Sequence, residues 1–227
     1  RLDGTQSEVL RVAGDSAPTG RLGNRILFSS PDFHRDIHFL GDLFSVRNDG
    51  SELERLTHGW RAEHPVATAD GKTIYYVAND GGVRHLMQVS RAADGSLGRP
   101  RTLLRAGFDE NFYSPVLSPD ERWLAFSRHG PNGYRDIYLR DLESGDTFAV
   151  AEDAAQDRTP IFSSDGRYLL FSSDRGGVPN IHAVDMRSGK RYQVTRVETG
   201  AFYPAVSPSG ETLVYAGYTV EGYDLFK

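Results

Sequence analysis

The sequence predicts an all-β chain built from repeated four-stranded antiparallel units. Three observations carry this expectation. First, a strand, a tight turn and an apolar strand recur at His64–Val77, Ser114–Ser127, Thr159–Ser172 and Tyr203–Ala216, with a fainter copy at Leu22–Ser29. One apolar position, occupied by Ile26, Ile74, Leu124, Leu169 and Leu213, advances in steps of 48, 50, 45 and 44 residues. Second, no stretch of useful length shows the 3.6-residue apolar period of an amphipathic helix. Third, 24 Gly and 11 Pro in 227 residues favour many short turns over long elements. A period near 45 residues with this strand content is that of β-propeller blades rather than of a helical solenoid.

Each repeat opens with a short strand at a proline, followed by a Pro-Asp-Gly-type turn. The second strand, such as Trp123–Ser127 or Tyr168–Ser172, is apolar on both faces and is expected in mid-blade, packed between neighbours. A third strand follows at Asp42–Val46, Asp136–Leu142, Asn180–Met186 and Tyr223–Phe226. After a turn such as Glu143–Asp146, a polar fourth strand (Glu54–Thr57, Arg191–Thr195) is expected at the solvent edge. Leu124, Phe126, Leu169, Phe171, Leu213, Ile74 and Tyr76 are the expected core.

Residues 1–227 read as a single domain of five blades. Arg1–Val12 matches the tail of a third strand, a turn and a fourth strand, whereas Gly200–Lys227 supplies three strands of a blade. The N-terminal strand is therefore expected to complete the last blade, or else the chain is an excerpt of a larger propeller.

Composition narrows the function. The net charge is −5, so nothing favours binding to a phosphate backbone, and no nucleic-acid partner is expected. No apolar run approaches the roughly 18 residues needed to span a bilayer. The absence of cysteine removes disulfides, thiolate metal sites and Cys nucleophiles. No Gly-x-Ser-x-Gly elbow occurs, the nearest approach being Gly14–Pro18. No glycine-rich phosphate loop precedes a helix, and Gly81-Gly82 and Gly176-Gly177 read as hairpin turns. No catalytic residue, cofactor or metal is expected.

The fullest copy of the repeat is Ser163–Gly177 followed by Asn180-Ile181-His182. It resembles the WD40-like repeats of TolB-type propellers, the PD40 repeats, and the resemblance extends over almost the whole chain. The chain departs from the pattern at Glu121 and Ser209 in the turn and at the insertion Pro31–Gly41, and it lacks the Trp-Asp dipeptide. The resemblance implies a non-enzymatic, periplasmic or otherwise extracytoplasmic scaffold with a protein or peptide partner. Pro179–Phe226 also resembles propellers that precede outer-membrane barrel or surface-protein modules, which implies association with an outer-membrane or envelope complex. Fold alone does not fix function.

Three groups of residues are candidates for chemistry. Asp70, Asp120 and Asp165 sit in the repeat turns, where an Asp ordinarily binds its own turn backbone. Gly follows Asp70 and Asp165 at once, which speaks against a glycosidase-type Asp-box. His34 and His38 stand four apart, but in an expected loop with no third ligand in reach. The strongest constellation precedes the repeat prolines: His64, Phe112, Tyr113, Asp157, Arg158, Phe202 and Tyr203. These are expected in loops that converge on one mouth of the central channel, where Arg and aromatic side chains make good interface anchors. Two rivals remain. The alternative is the gating propeller of a prolyl-oligopeptidase-type serine peptidase whose catalytic domain lies outside this chain. A lyase-like propeller would need several channel histidines, and only His64 holds that register.

Overall fold

The computed structural model describes residues 20–34 and 38–227. All its regular elements are strands, and no helix occurs among the described residues. The expected strand at Arg1–Val12 lies outside them. The described residues form two compact units, those up to residue 80 with 87–103, and 81–86 with 104–227.

In the first unit, β1 (Gly20–Leu22), β2 (Arg25–His34), β3 (His38–Arg47) and β4 (Glu54–Arg55) form one antiparallel meander in chain order. β5 (Ala62–Ala67) and β6 (Thr73–Asp80) begin the next, which continues through β7 (Val83–Ser90) to β8 (Arg101–Leu104). Leu22, Leu27, Leu43, Ala62, Ile74, Tyr76 and Val89 make a closed apolar cluster.

The segment Pro31–Gly41 corrects an expectation. Its residues 31–34 and 38–41 are not loop but extend the β2–β3 ladder, with Pro31 opposite Gly41 and His34 opposite His38. Pro and Gly ordinarily signal a break. Here they face each other within the ladder, and glycine suits position 41 because a Cβ there would sit a tight 3.0 Å from the Ala62 carbonyl oxygen. The side chains of His34 and His38 lie outside the described ones.

In the second unit, β9 (Asn111–Leu117), β10 (Trp123–His129), β11 (Arg135–Asp141) and β12 (Thr147–Ala151) form one meander. β13 (Asp157–Phe162), β14 (Tyr168–Ser173), β15 (Asn180–Asp185) and β16 (Arg191–Gln193) form another. β17 (Ala201–Val206), β18 (Leu213–Thr219) and β19 (Gly222–Phe226) form a three-stranded sheet.

β14 shows why the second strand is apolar on both faces. Successive side chains point to opposite sides of a sheet. Leu169 and Phe171 pack with Ala125, Ile137 and Leu139 of the preceding sheet, whereas Leu170 packs towards Ala201 of the following one. Leu124, Phe126, Leu169, Phe171, Ile74 and Tyr76 are all buried as expected. Leu213 is not: it is half-buried, packed only at the margin of the Leu170 and Ile181 cluster. Leu43 and Ile181 pack beneath Ala62 and Ala201 of the sheet that follows each of them. No sheet is described after β19, and there the equivalent Leu225 is 80% exposed.

Two polar devices repeat. In three of the turns a hydroxyl and a carboxylate close the loop: Ser163 Oγ donates to Asp165, Asp165 accepts the Arg167 N–H at 3.0 Å, and Ser163 Oγ accepts the Tyr168 N–H at 2.9 Å. Thr68 with Asp70 and Ser118 with Asp120 do the same. These bonds hold the three carboxyl groups below the usual range, Asp70 at about 2. The turn aspartates are therefore structural. Glu121 replaces the turn glycine and takes its left-handed backbone, at φ 57°. The second device lies at the start of the third strands. Asp42 accepts the Gly59 and Trp60 N–H groups, His85 Nδ1 the Ala106 N–H, Asp136 the Asp153 N–H and Asn180 the Val197 N–H. Each bond ties down the segment that leads into the next inner strand. Burial pushes the Asp42 carboxyl up, but its hydrogen bonds from Thr57, Gly59, Arg55 and Trp60 outweigh this and hold it low.

Candidate functional site

Four inner strands, β5, β9, β13 and β17, carry the same local irregularity. The ladder register shifts between Glu63 and Val66, between Tyr113 and Val116, between Arg158 and Ile161, and between Phe202 and Ala205. At each shift the residue before the proline has a left-handed backbone: His64 at φ 52°, Ser114 at 48°, Thr159 at 50° and Tyr203 at 50°. Pro65, Pro115, Pro160 and Pro204 are all buried. A proline has no N–H for the ladder, and it bars its predecessor from the right-handed region. The strand answers with a bulge. For a residue other than glycine the left-handed backbone costs roughly 1–2 kcal/mol.

The expected site residues are thus on strands and not in loops, and the bulge sorts them. Phe112 and Asp157 are buried. Phe112 stands edge-on to Phe126, with ring centroids 5.4 Å apart. Asp157 receives Arg175 Nη2 at 2.8 and 3.1 Å. Burial raises the Asp157 carboxyl to about 6, outweighing the attraction of Arg175. Both residues are inner-strand anchors, because alternation turns them away from the side that carries Tyr113 and Arg158.

Tyr113 and Phe202 are partly accessible, Arg158 is exposed and Tyr203 is 59% exposed. Their strands adjoin, with β13 against both β9 and β17. Phe202 also meets Tyr223 edge-on at 5.9 Å, and Tyr223 meets Tyr218 at 5.2 Å. The bulge residue His64 belongs to the first unit, where its N–H donates to Ser29 Oγ at 3.3 Å.

Two further residues at this side escaped the sequence reading. The guanidinium carbon of Arg135 lies 3.8 Å from the centroid of the Tyr113 ring, and that of Arg84 lies 5.2 Å from it. Arg84 and Arg135 each directly precede the residue that ties down the next linker, His85 and Asp136. Superposing the third strands of the repeats would have shown two arginines in one register. Among the described residues no group of three or more metal-ligating side chains comes together. No described helix is long and apolar enough to cross a membrane.

Comparison with known proteins agrees with this architecture. Residues 99–224 match the family model of the TolB beta propeller domain. The Tol-Pal system protein TolB of Gluconobacter oxydans is 32% identical over 126 residues, covering 54% of this chain and 26% of that protein. Tricorn protease homolog 1 of Streptomyces coelicolor is 28% identical over 157 residues, covering 66% of this chain and 14% of that protein. The structure of a putative TolB from Agrobacterium tumefaciens superposes with a TM-score of 0.73 at 22% identity, covering 92% of this chain and 72% of that one. The structural likeness is one of fold. The matched stretches span less than a third of the curated relatives' own length.

Proposed function

This chain belongs to the TolB beta propeller domain family, and on that premise we propose that it is a non-enzymatic, extracytoplasmic scaffold that captures a protein or peptide at its inner strands. One observation carries the reading. Four inner strands, β5, β9, β13 and β17, repeat the same strained kink before a buried proline, yet the residues carried there differ: Glu63-His64, Tyr113-Ser114, Arg158-Thr159 and Phe202-Tyr203. A constant backbone with varied side chains is how a rigid repeat presents a recognition surface. In the second unit the varied side chains are an exposed cation and aromatic rings with polar tips, which suit a protein ligand.

The test is capture from a periplasmic extract. Arg158→Ala combined with Tyr203→Ala is expected to abolish capture. Both side chains are exposed, so the thermal midpoint is expected to move by no more than about 2 °C. Retained capture would reject the site.

The match to a tricorn protease homologue favours a second reading, a propeller that gates a peptidase encoded in the same gene. A Gly-x-Ser-x-Gly hydrolase domain in the parent gene would support it; with no peptidase domain there, the reading fails.

A further inference from the structure

The second unit brings two arginines, Arg135 and Arg158, close together. Arg135 is half-buried and stacks on Tyr113 at 3.8 Å. Its Nε is buried and has no hydrogen-bond partner. The Arg135 backbone bridges Gln156, which places Arg158 only two residues further along the chain. Among the described residues neither Arg135 nor Arg158 forms an ion pair. Burial lowers the Arg135 pKa, and the charges of Arg158 and Arg84 lower it further, against the opposing pull of Tyr113. The hydroxyl of Thr159, next to Arg158, is likewise buried without a partner.

A fold gains nothing from holding such groups together, because an unpaired buried donor and clustered like charges both cost stability. An anion would supply the missing partner, and a guanidinium fork matches a planar carboxylate. We propose that Arg135 and Arg158, beside Tyr113, form a carboxylate-binding site whose occupant is an acidic side chain of an extended peptide. This rests on the peptide-capture reading and names the chemistry that the captured partner presents. The strand order favours a peptide. β13 and β17 are edge strands of their sheets, and an edge strand offers backbone N–H and C=O groups to an extended chain.

Fluorescence anisotropy of the 227-residue chain with two short labelled peptides tests this. Both are N-acetylated and C-amidated, one containing a single Glu and the other Gln in its place. The Glu peptide is expected to bind about tenfold more tightly or better, as a charge-assisted bond implies, with the advantage shrinking as salt rises. Arg158→Gln and Arg135→Gln should each remove most of that advantage, so that each variant binds the two peptides about equally. Arg135→Gln should not lower the thermal midpoint, which a purely structural arginine would do; if it does, the inference falls. Arg158→Gln, at an exposed position, keeps the binding test independent of folding. Equal binding of the two peptides, or an undiminished Glu advantage in both variants, overturns the carboxylate site and leaves peptide capture standing. Binding of neither peptide overturns the site and its peptide occupant together.

Discussion

Leu169→Ala is expected to cost about 2–5 kcal/mol of unfolding free energy, the range for truncating a buried leucine. Leu169 is wholly inaccessible and sits in the middle strand of its sheet. It packs in one cluster with Ala125, Ile137, Leu139, Phe171 and Val184, drawn from two successive sheets. Truncation removes the transfer free energy of three carbons and leaves a cavity that two stiff sheets cannot readily close. Urea denaturation is the appropriate measurement, with a lower midpoint and an unchanged slope. For a chain of this length the thermal midpoint should fall by on the order of 10 °C. A loss below about 0.5 kcal/mol would mean that the sheets do not stack through this face.

The second large effect concerns pH. Asp157 titrates at about 6 in the folded chain, against an ordinary value of 3.8, because burial disfavours its charge. A carboxyl with a raised folded pKa adds stability that is complete below about pH 4 and is lost as pH rises through about 6. Asp157→Asn has no such proton to lose. The stability of the wild type relative to Asp157→Asn should therefore fall by about 2–3 kcal/mol between pH 4 and pH 7, from a shift of roughly two units at 1.36 kcal/mol each. Comparing the two proteins cancels the opposite trend of Asp70, Asp120, Asp165 and Asp185, whose pKa values are all lowered. A difference that grows in favour of the wild type as pH rises would show that the Arg175 pair outweighs burial, and a pH-independent one that the two cancel.

The fold was legible because its repeat is written in side chains that alternate. The pattern at Trp123–Ser127 and Tyr168–Ser172 could come only from a strand covered on both faces, and the turn aspartates announced their own hydrogen bonds. Three things were not legible, each for a physical reason. The Pro31–Gly41 hairpin extension was hidden because both residues usually break strands, and only the approach of the Ala62 carbonyl explains the glycine. Leu213 matches Leu124 in sequence but not in burial, since burial depends on which sheet covers it. The site was read as pre-proline residues converging on one mouth, but a one-residue bulge decides which of them face outward. Phe112 and Asp157 went inside, Tyr113 and Arg158 did not, and Arg135 joined them from a different strand. Such a convergence is tertiary, and no local spacing encodes it.

The central claim is that a partner is held at the bulged inner strands and not at the outer edges of the sheets. Site-specific photo-crosslinking tests this most directly, with a benzophenone side chain placed at Tyr203 in one protein and at Phe148 in another. Both positions are exposed, at 59% and 45%, but Tyr203 lies on the inner strand β17 and Phe148 on the outer strand β12. The account predicts a covalent adduct with the captured partner from position 203 and none from position 148. An adduct from position 148 alone would contradict it.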